Sequence, residues 1–229
     1  MGEIKIVARI LLIETSTERG IIACGDRGKV FFCKELPVGL HQSKQIMPAI
    51  EEACQTMENG KLDAIGIGVG PGSYTGIRIG AAIAQGLSYT WKVPLIRVSS
   101  LTGFVPQQQK GPFASVVDAR MGGIYFQRGT FENQILFEEG PQICSTEKSF
   151  EYLVGRHIVT PAATSLQRKF ALQLDWTWEE RSPCVEMLFS QIEEEYEKKN
   201  WVTPPSTLDL MYLKKTEAER NREKYDCFS

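Results

Sequence analysis

The residues with the clearest capacity for chemistry lie in a glycine-rich stretch, GVGPGSYTGIRIG, which runs from Gly68 to Gly80. A short apolar run precedes it at Ile65–Val69, and the segment AAIAQGLSY that follows has the composition of a helix. A strand is therefore expected to enter a turn that opens a helix. The free N–H groups and the dipole at such a helix start favour an anion. Gly72 permits a close approach of the backbone, and Ser73 can cap the helix.

The stretch does not match the motifs of the common phosphate-binding or nucleophile-bearing loops. It contains no lysine, so it is not a P-loop. The G-x-G-x-x-G signature fails because Ser73 and Thr75 stand where the third glycine is required. The G-x-S-x-G elbow fails because the positions two residues before and two residues after Ser73 hold Pro71 and Thr75 instead of glycine. Neither histidine of the chain, His41 or His157, is close enough in sequence to supply a general base.

Two acidic residues at predicted strand ends are further candidates for phosphate or magnesium binding. Glu14 is followed by three hydroxyl residues that begin at Thr15, and Asp118 is followed by Arg120. A carboxylate with hydroxyls at a strand end can hold phosphate and magnesium. An ordinary structural turn is the alternative in both cases, since the first turn lacks a glycine and Arg120 can pair with Asp118. No metal site is expected, because His41 has no second histidine or cysteine at ligand spacing.

The helix after the glycine-rich turn carries two regular rows of side chains. Small residues recur every fourth position: Gly76, Gly80, Ala84 and Ser88. An apolar row runs beside them: Ile79, Ile83 and Leu87. A stripe of small side chains lets another helix pack very close to this one. The residues alone leave three interpretations open, namely packing within the chain, a phosphate cradle, and an interface with a partner protein.

The order of predicted elements describes an α/β protein built from two similar halves. The first half reads β-β-β-α-β-α-β, and its first helix has Ile46 and Ile50 on one apolar face. A polar joint, PQQQKGP, follows, after which a strand and a hairpin recur. We therefore predict lobes at residues 1–105 and 106–229, each with a mixed sheet covered by helices. A later helix after Pro183 has one apolar face, formed by Val185, Leu188, Ile192 and Tyr196.

Composition and charge narrow the class of protein. The 229 residues are 42% hydrophobic and carry a net charge of −2, which gives no chain-wide basic character for nucleic acid. The longest apolar run near the start, ILLI, is too short for a signal peptide or a membrane span. The six cysteines are scattered without a CxxC pair. We therefore expect a cytoplasmic protein with reduced thiols and no membrane contact, in which tRNA contact needs a local patch or a partner.

Several of these segments, taken in order, resemble the TsaB (YeaZ) family. The resemblance rests on IETST, HQSKQIMP, GVGPGSYTGIRIGAAIAQGLSY, VSSL and DARMGGIYF, which together cover residues 10–126. Beyond them, YLKK near the end is similar to the closing Tyr-Leu-Arg pattern of the family. The chain departs from the family at two positions, with Glu14 in place of an aspartate and Gly123 in place of a glutamate.

The resemblance implies both a fold and a function. The fold is the duplicated actin/sugar-kinase/Hsp70-like (ribonuclease-H-like) fold with two lobes. The function is that of a non-catalytic partner of the TsaD transferase, a paralogue, in forming threonylcarbamoyladenosine next to the anticodon of tRNAs that read ANN codons. TsaE, an ATPase, joins the TsaD heterodimer, and a homodimer is possible when the chain is alone. This chain by itself is expected to bind no cofactor tightly, to use ATP through the wider complex, and to meet tRNA through the complex.

The resemblance also assigns residues to roles, none of them catalytic and none of them metal-binding. The partner interface is expected on the two helices of the first lobe, at Ile46, Ile50, Gly76, Ile79, Gly80 and Ile83. The former nucleotide or phosphate turns are expected at Glu14, Thr15, Gly72, Ser73 and Asp118. The alternative function is an ATP-dependent small-molecule kinase of the same fold, which would use Glu14 and Asp118 as magnesium-directed acids.

Overall fold

The part of the chain that the structure describes contains two β-sheets, each covered by helices. The computed structural model describes residues 8–26, 29–39, 42–57, 61–120, 123–170 and 176–213. His41 and the tail beyond residue 213 lie outside these residues. Within the described parts of the chain, no helix is both long enough and apolar enough to cross a membrane.

Five strands form the first sheet: β1 (Arg9–Glu14), β2 (Ile21–Asp26), β3 (Lys29–Glu35), β4 (Ala64–Gly68) and β5 (Leu95–Val98). Their spatial order is β3-β2-β1-β4-β5, with β1 antiparallel to β2 and parallel to β4. Two helices, α1 (Gln42–Gln55) and α2 (Tyr74–Trp91), cover one face. The central strand β1 is apolar along most of its length because both faces of the sheet are covered.

The second sheet has six strands: β6 (Gly111–Arg120), β7 (Gly123–Phe131), β8 (Ile135–Phe137), β9 (Gln142–Ser145), β10 (His157–Thr160) and β11 (Trp178–Glu180). Their order is β11-β10-β6-β7-β8, and β9 also pairs with β7. Two short helices, α3 (Ser149–Leu153) and α4 (Ala163–Gln167), contribute to the core on one face of this sheet.

The two sheets repeat one topology, which confirms the two-lobed α/β fold expected from the sequence. In each sheet the first strand pairs antiparallel with a hairpin strand and parallel with a strand that follows a helix. The order β3-β2-β1-β4-β5 corresponds to β8-β7-β6-β10-β11. Glu14 and Asp118 consequently lie in equivalent places, at or near the carboxyl end of the first strand of each sheet.

The helix α5 (Val185–Glu197), the last long helix of the described residues, packs on the first sheet rather than on the second. Its buried side chains Leu188, Phe189 and Ile192 lie against the face of that sheet opposite α1 and α2. A Cβ atom built on Gly25 of β2 would be 2.8 Å from the Phe189 ring, which shows how closely the helix lies on the strand. Residue 105 lies between β5 of the first sheet and β6 of the second. The segment from α5 to Met211 returns to the first lobe, where Val202 exchanges hydrogen bonds with Leu95 and Met211 donates to the Val69 carbonyl. The division into lobes at residue 105 stays a prediction.

Candidate functional site

The glycine-rich stretch forms the strand, turn and helix start that the sequence predicts. The turn connects β4 with α2, and Ser73 is the N-cap of α2 in an extended conformation. The Ser73 hydroxyl accepts a hydrogen bond from the Gly76 N–H at 3.3 Å. At Gly70 the backbone has φ +98°, a conformation that glycine adopts without a steric penalty. The capped helix start is therefore fixed by residues of the turn itself.

A carbonyl group of the β1–β2 turn lies at this helix start, where an anion would bind. The Ser73 N–H donates to the carbonyl oxygen of Ser16 at 2.6 Å. A Cβ atom at Gly72 would lie 2.1 Å from the same oxygen. The group that closely approaches Gly72 is thus the main-chain carbonyl of Ser16. Two backbone segments share the space that a phosphate cradle would have to leave open.

Glu14 is fully buried and satisfied by hydrogen bonds from neighbouring groups. It accepts from the Ser16 N–H at 2.6 Å, from the Ser16 hydroxyl, and from the Ser100 hydroxyl at 2.7 Å. The Ser100 hydroxyl also accepts from the Gly70 N–H at 3.1 Å, so the carboxyl group is tied to the glycine-rich turn. Gly68 leaves room for it, since a Cβ there would be 1.8 Å from Glu14 Oε2. Desolvation raises the pKa of Glu14, although these hydrogen bonds act in the opposite direction.

We expect Glu14→Gln to flatten the dependence of stability on pH. The folded pKa of Glu14 lies above its ordinary value of 4.5. The stability contributed by this group is therefore fully present below that value and is lost as the pH rises through the folded pKa. Gln cannot ionise, so the variant should gain stability relative to wild type as the pH rises. Urea unfolding between about pH 5 and pH 8 measures this difference, and parallel profiles for the two proteins would contradict it.

The stripe of small residues on α2 packs against β1, within the chain. A Cβ at Gly76 would lie 2.1 Å from the carbonyl oxygen of Thr15, and one at Gly80 would lie 2.3 Å from the Thr15 hydroxyl. Thr15 is 1% exposed, and its hydroxyl donates to the Gly76 carbonyl at 2.9 Å. Of the three interpretations, packing within the chain is the one that these contacts support. Glycine at both positions lets α2 approach the end of β1.

Four of the residues assigned to the partner interface face the interior of the first lobe. Ile46 and Ile50 are 1% and 2% exposed in the core beneath α1. Gly76 and Gly80 meet Thr15, as described above. The expectation that these four form an outward face is corrected accordingly, because the sheet already covers them. A bulky side chain at Gly80, such as leucine, would disrupt the contact with Thr15 at the end of β1. Such a variant would not distinguish loss of partner binding from loss of the fold.

The outer side of α1 and α2 presents a different set of side chains. Ile79 and Ile83 are half-buried at its margin and also contact the core. Beside them on α2, Ala82 and Gly86 are exposed, and a Cβ at Gly86 would meet no atom within 4 Å. Tyr89 is 80% exposed at the end of α2, and Met47 is 51% exposed on α1. The sequence analysis did not select these exposed residues, although Ala82 and Gly86 alternate with the buried stripe at helical spacing.

In the second lobe, Asp118 is held by a backbone group near the end of β6 and by a side chain of the segment after α4. It accepts from the Arg120 N–H at 2.6 Å and forms an ion pair with Lys169. The pairing register of β6 with β7 shifts between Asp118 and Arg120, so the strand is irregular at this acid. Asp118 is therefore engaged by groups of the chain itself near the irregular end of β6.

The described residues contain no group of three or more histidine, cysteine, aspartate or glutamate side chains that would hold a metal ion. His157 of β10 lies within hydrogen-bond distance of the Thr177 hydroxyl at 2.9 Å and of Glu179 at 3.0 Å. These contacts connect His157 to β11, which contains Glu179, and to Thr177, the residue before β11. The expectation that His41 does not bind a metal ion concerns a residue outside the described part of the chain.

Comparison with known sequences finds two kinds of similarity. The sequence model of the family described as "TsaD: tRNA N6-adenosine threonylcarbamoyltransferase" matches residues 38–190. The chain is 34% identical over 159 residues to the "tRNA threonylcarbamoyladenosine biosynthesis protein TsaB" of Haemophilus influenzae, over 63% of this chain and 67% of that protein. It is 36% identical over 124 residues to the Escherichia coli protein of the same name. That alignment covers 52% of this chain and 53% of the Escherichia coli protein.

Comparison with solved structures gives the same architecture. The structure described as YeaZ from Pseudomonas aeruginosa superposes with a TM-score of 0.75 at 20% identity. The superposition covers 90% of this chain and 100% of that chain. At this level of identity the likeness supports the two-lobed fold.

Proposed function

The chain belongs to the TsaB (YeaZ) family, and from this membership we infer that it takes part in tRNA threonylcarbamoyladenosine biosynthesis as a non-catalytic partner of the TsaD transferase. The modified nucleoside lies next to the anticodon of tRNAs that read ANN codons. TsaE, an ATPase, joins the pair, so ATP belongs to the wider complex rather than to this chain. The tRNA is reached through the complex.

The filled glycine-rich turn is the observation that carries the non-catalytic part of this proposal. The Ser16 carbonyl already accepts the Ser73 N–H at the start of α2. The carboxyl group of Glu14 is buried beneath the turn and accepts three hydrogen bonds from Ser16 and Ser100. A catalytic phosphate site would need open N–H groups and a carboxylate able to reach a metal ion. In this chain the Ser73 N–H and the Glu14 carboxyl group are both engaged in hydrogen bonds within the first lobe.

The same observation argues against the small-molecule kinase. Such an enzyme would direct magnesium through Glu14 and Asp118. Glu14 is 0% exposed, and burial raises its pKa, which disfavours the charged form that a metal ligand requires. Asp118 is already paired with Lys169. Both acids would have to give up their present partners before they could bind a metal ion.

The outer side of α1 and α2 is the surface on which we place the TsaD partner. It combines the exposed Met47, Ala82 and Tyr89 with the half-buried Ile79 and Ile83. The two helices cover the same face of the first sheet, and exposed apolar and aromatic side chains are typical of protein interfaces. The same surface offers a route to the homodimer when TsaD is absent.

A reconstituted modification assay tests the proposal. Purified TsaD, TsaE, unmodified tRNA and threonylcarbamoyl-adenylate are combined with and without this chain, and the modified nucleoside is quantified by mass spectrometry. We expect formation of the nucleoside to depend on this chain. Equal yields with and without it would contradict the partner role. This chain with tRNA and threonylcarbamoyl-adenylate, but without TsaD, should give no product, and product in that sample would contradict the non-catalytic assignment.

A further inference from the structure

The described chain crosses between the two lobes along two segments that are bonded to each other. It leaves the first lobe after a short 3₁₀ helix (Ser100–Gly103) and returns to it between β11 and α5. The Cys184 N–H donates to the Gly103 carbonyl at 2.7 Å, and the Arg181 guanidinium donates to the Val105 carbonyl at 2.8 Å. Adjacent crossings of this kind can act as a hinge, since a few residues at element ends can absorb the φ/ψ changes of a rotation.

An apolar core beside these crossings contains side chains of both lobes. It lies on one face of the second sheet, where Phe113 and Val117 of β6 are buried. Leu101 and Phe104, at the start of the first crossing, are buried in the same core, and Met187 of α5 packs against it. Apolar contacts between domains oppose their relative motion. The first lobe is therefore attached to the second sheet along this face.

A polar contact joins the lobes on the other face of the second sheet. Arg19, in the turn between β1 and β2, donates from Nε to the Pro161 carbonyl at 2.7 Å and from Nη2 to the Glu180 carboxylate at 2.5 Å. Side chains two apart on a strand point to the same face. Glu180 is two residues after Trp178, which packs in the core that α3 and α4 contribute to. The Arg19 contact therefore lies on the α4 side, opposite the shared apolar core.

Both partners of this contact are positioned by bonds within their own lobes. The Arg19 N–H donates to the Thr17 hydroxyl at 3.2 Å, and the Thr17 carbonyl accepts from the Gln42 side chain at 3.1 Å. The second carboxylate oxygen of Glu180 accepts from the Ala163 N–H at 2.7 Å, at the first residue of α4. Groups that are already oriented lose less freedom when they meet, and charge-assisted hydrogen bonds are stronger than neutral ones.

We propose that Arg19 is an interlobe brace, which prevents rotation about the two crossings and holds the lobes in one orientation. The crossings and the shared core join the lobes on one face of the second sheet. A rotation about them would move the α4 side of that sheet away from the β1–β2 turn, and Arg19 connects these two parts. The lobes of this chain therefore do not open and close, and they move as one rigid body. The proposal is independent of the partner role, since Arg19 and Glu180 lie outside the surface assigned to TsaD.

The first test measures the relative orientation of the lobes in the full chain. Residual dipolar couplings of backbone N–H groups are recorded by NMR in a weakly aligning medium. We expect the couplings of β1, β2 and β4 and those of β6, β7 and β10 to fit one alignment tensor, with the two sheets oriented as in the structure. Two tensors of different magnitude, which independent motion of the lobes would produce, would overturn the proposal.

The second test determines whether Arg19 provides the restraint. Arg19→Gln should raise the hydrogen-exchange rate of the Cys184 amide, relative to that of the Leu12 amide in β1, by at least about tenfold. The Cys184 amide reports opening of the crossings, whereas Leu12 lies in the central strand and reports unfolding of the first sheet. Glu180→Gln should raise the same ratio by less, because the bond from Arg19 to Pro161 remains. The double variant should not exceed Arg19→Gln, since both changes remove one shared contact.

Lys34→Gln is the matched control for these variants. It removes an ion pair with Glu52 inside the first lobe, and the exposed fractions of the Lys34 and Arg19 side chains are similar, at 34% and 29%. This variant should leave the ratio of Cys184 to Leu12 exchange as it is in wild type. If Arg19→Gln gives the same ratio as Lys34→Gln, Arg19 does not brace the lobes and the proposal is wrong.

Discussion

We expect Gly76→Ala to lower the free energy of unfolding by about 3 kcal/mol or more. The new Cβ would lie 2.1 Å from the carbonyl oxygen of Thr15, which is a main-chain atom and cannot rotate away. Either α2 must move away from β1, or the end of β1 must shift. The measurement is urea unfolding followed by circular dichroism, and a change below about 1 kcal/mol would contradict the close packing of α2 on β1.

Gly86→Ala is the matched control on the same helix. Nothing lies within 4 Å of a Cβ at Gly86, and the residue is exposed. Alanine is a better helix former than glycine, so this variant should gain about 0.5–1 kcal/mol. The opposite signs of the two substitutions would show that position on the helix, rather than the chemistry of the substitution, decides the outcome.

A third glycine on α2 separates side-chain crowding from main-chain crowding. A Cβ at Gly80 would lie 2.3 Å from the Thr15 hydroxyl but 3.6 Å from the Thr15 Cβ. Removing the hydroxyl by Thr15→Ala should therefore relieve most of the cost of Gly80→Ala, and it should leave most of the cost of Gly76→Ala in place. A double-mutant cycle measures this coupling.

The second large effect is expected at the partner surface. Ala82→Arg should weaken binding of TsaD by at least about 100-fold, because an unpaired charge would be buried at the centre of the proposed contact. Ala82 is exposed in the free chain, so its own fold should be nearly unaffected. Calorimetry with purified TsaD measures the affinity, and the modification assay should lose activity in parallel.

Gln167→Arg provides the control for that experiment. It places the same side chain at an exposed position of α4, in the second lobe. We expect its affinity for TsaD to equal that of wild type. If Ala82→Arg also binds normally, TsaD does not dock on the outer side of α1 and α2, and the interface must be sought elsewhere on the chain.

The local parts of the first lobe could be predicted from sequence because neighbouring residues determine them. The apolar run before Gly68 and the cap at Ser73 specify a strand, a turn and a helix start, and the structure has all three. The repeated order of strands and helices likewise predicted two similar sheets. In both cases the information lies within a short window of the chain.

Which side of helix α2 packs inside the protein could not be predicted from neighbouring residues. The stripe containing Gly76 and Gly80 fits an interface between proteins as well as it fits a strand of the same protein. The choice depends on Thr15, which is about 60 residues away and whose position follows from the sheet topology. Glu14 raises the same difficulty, because nothing near it in sequence reveals that Ser100 would donate to its carboxyl group. The partner assignment itself stays a prediction.

The apolar spacing of Val185, Leu188 and Ile192 predicts a helix that buries this face, and in the structure these residues are buried. Spacing does not say which sheet the helix covers. The two sheets have similar topology and offer similar apolar faces. Contacts such as that of Phe189 with Gly25 place the helix on the first sheet.

The return of α5 to the first lobe has a consequence for synthesis on the ribosome. One face of the first sheet stays uncovered until residues 185–197 have been made, although the five strands are complete at Val98. At about 5–20 residues per second, this interval lasts roughly 5–20 s. During that time an apolar sheet face is open to other nascent chains and to chaperones. A truncated chain that stops after the first sheet should therefore aggregate, whereas adding α5 as a separate peptide should keep it in solution.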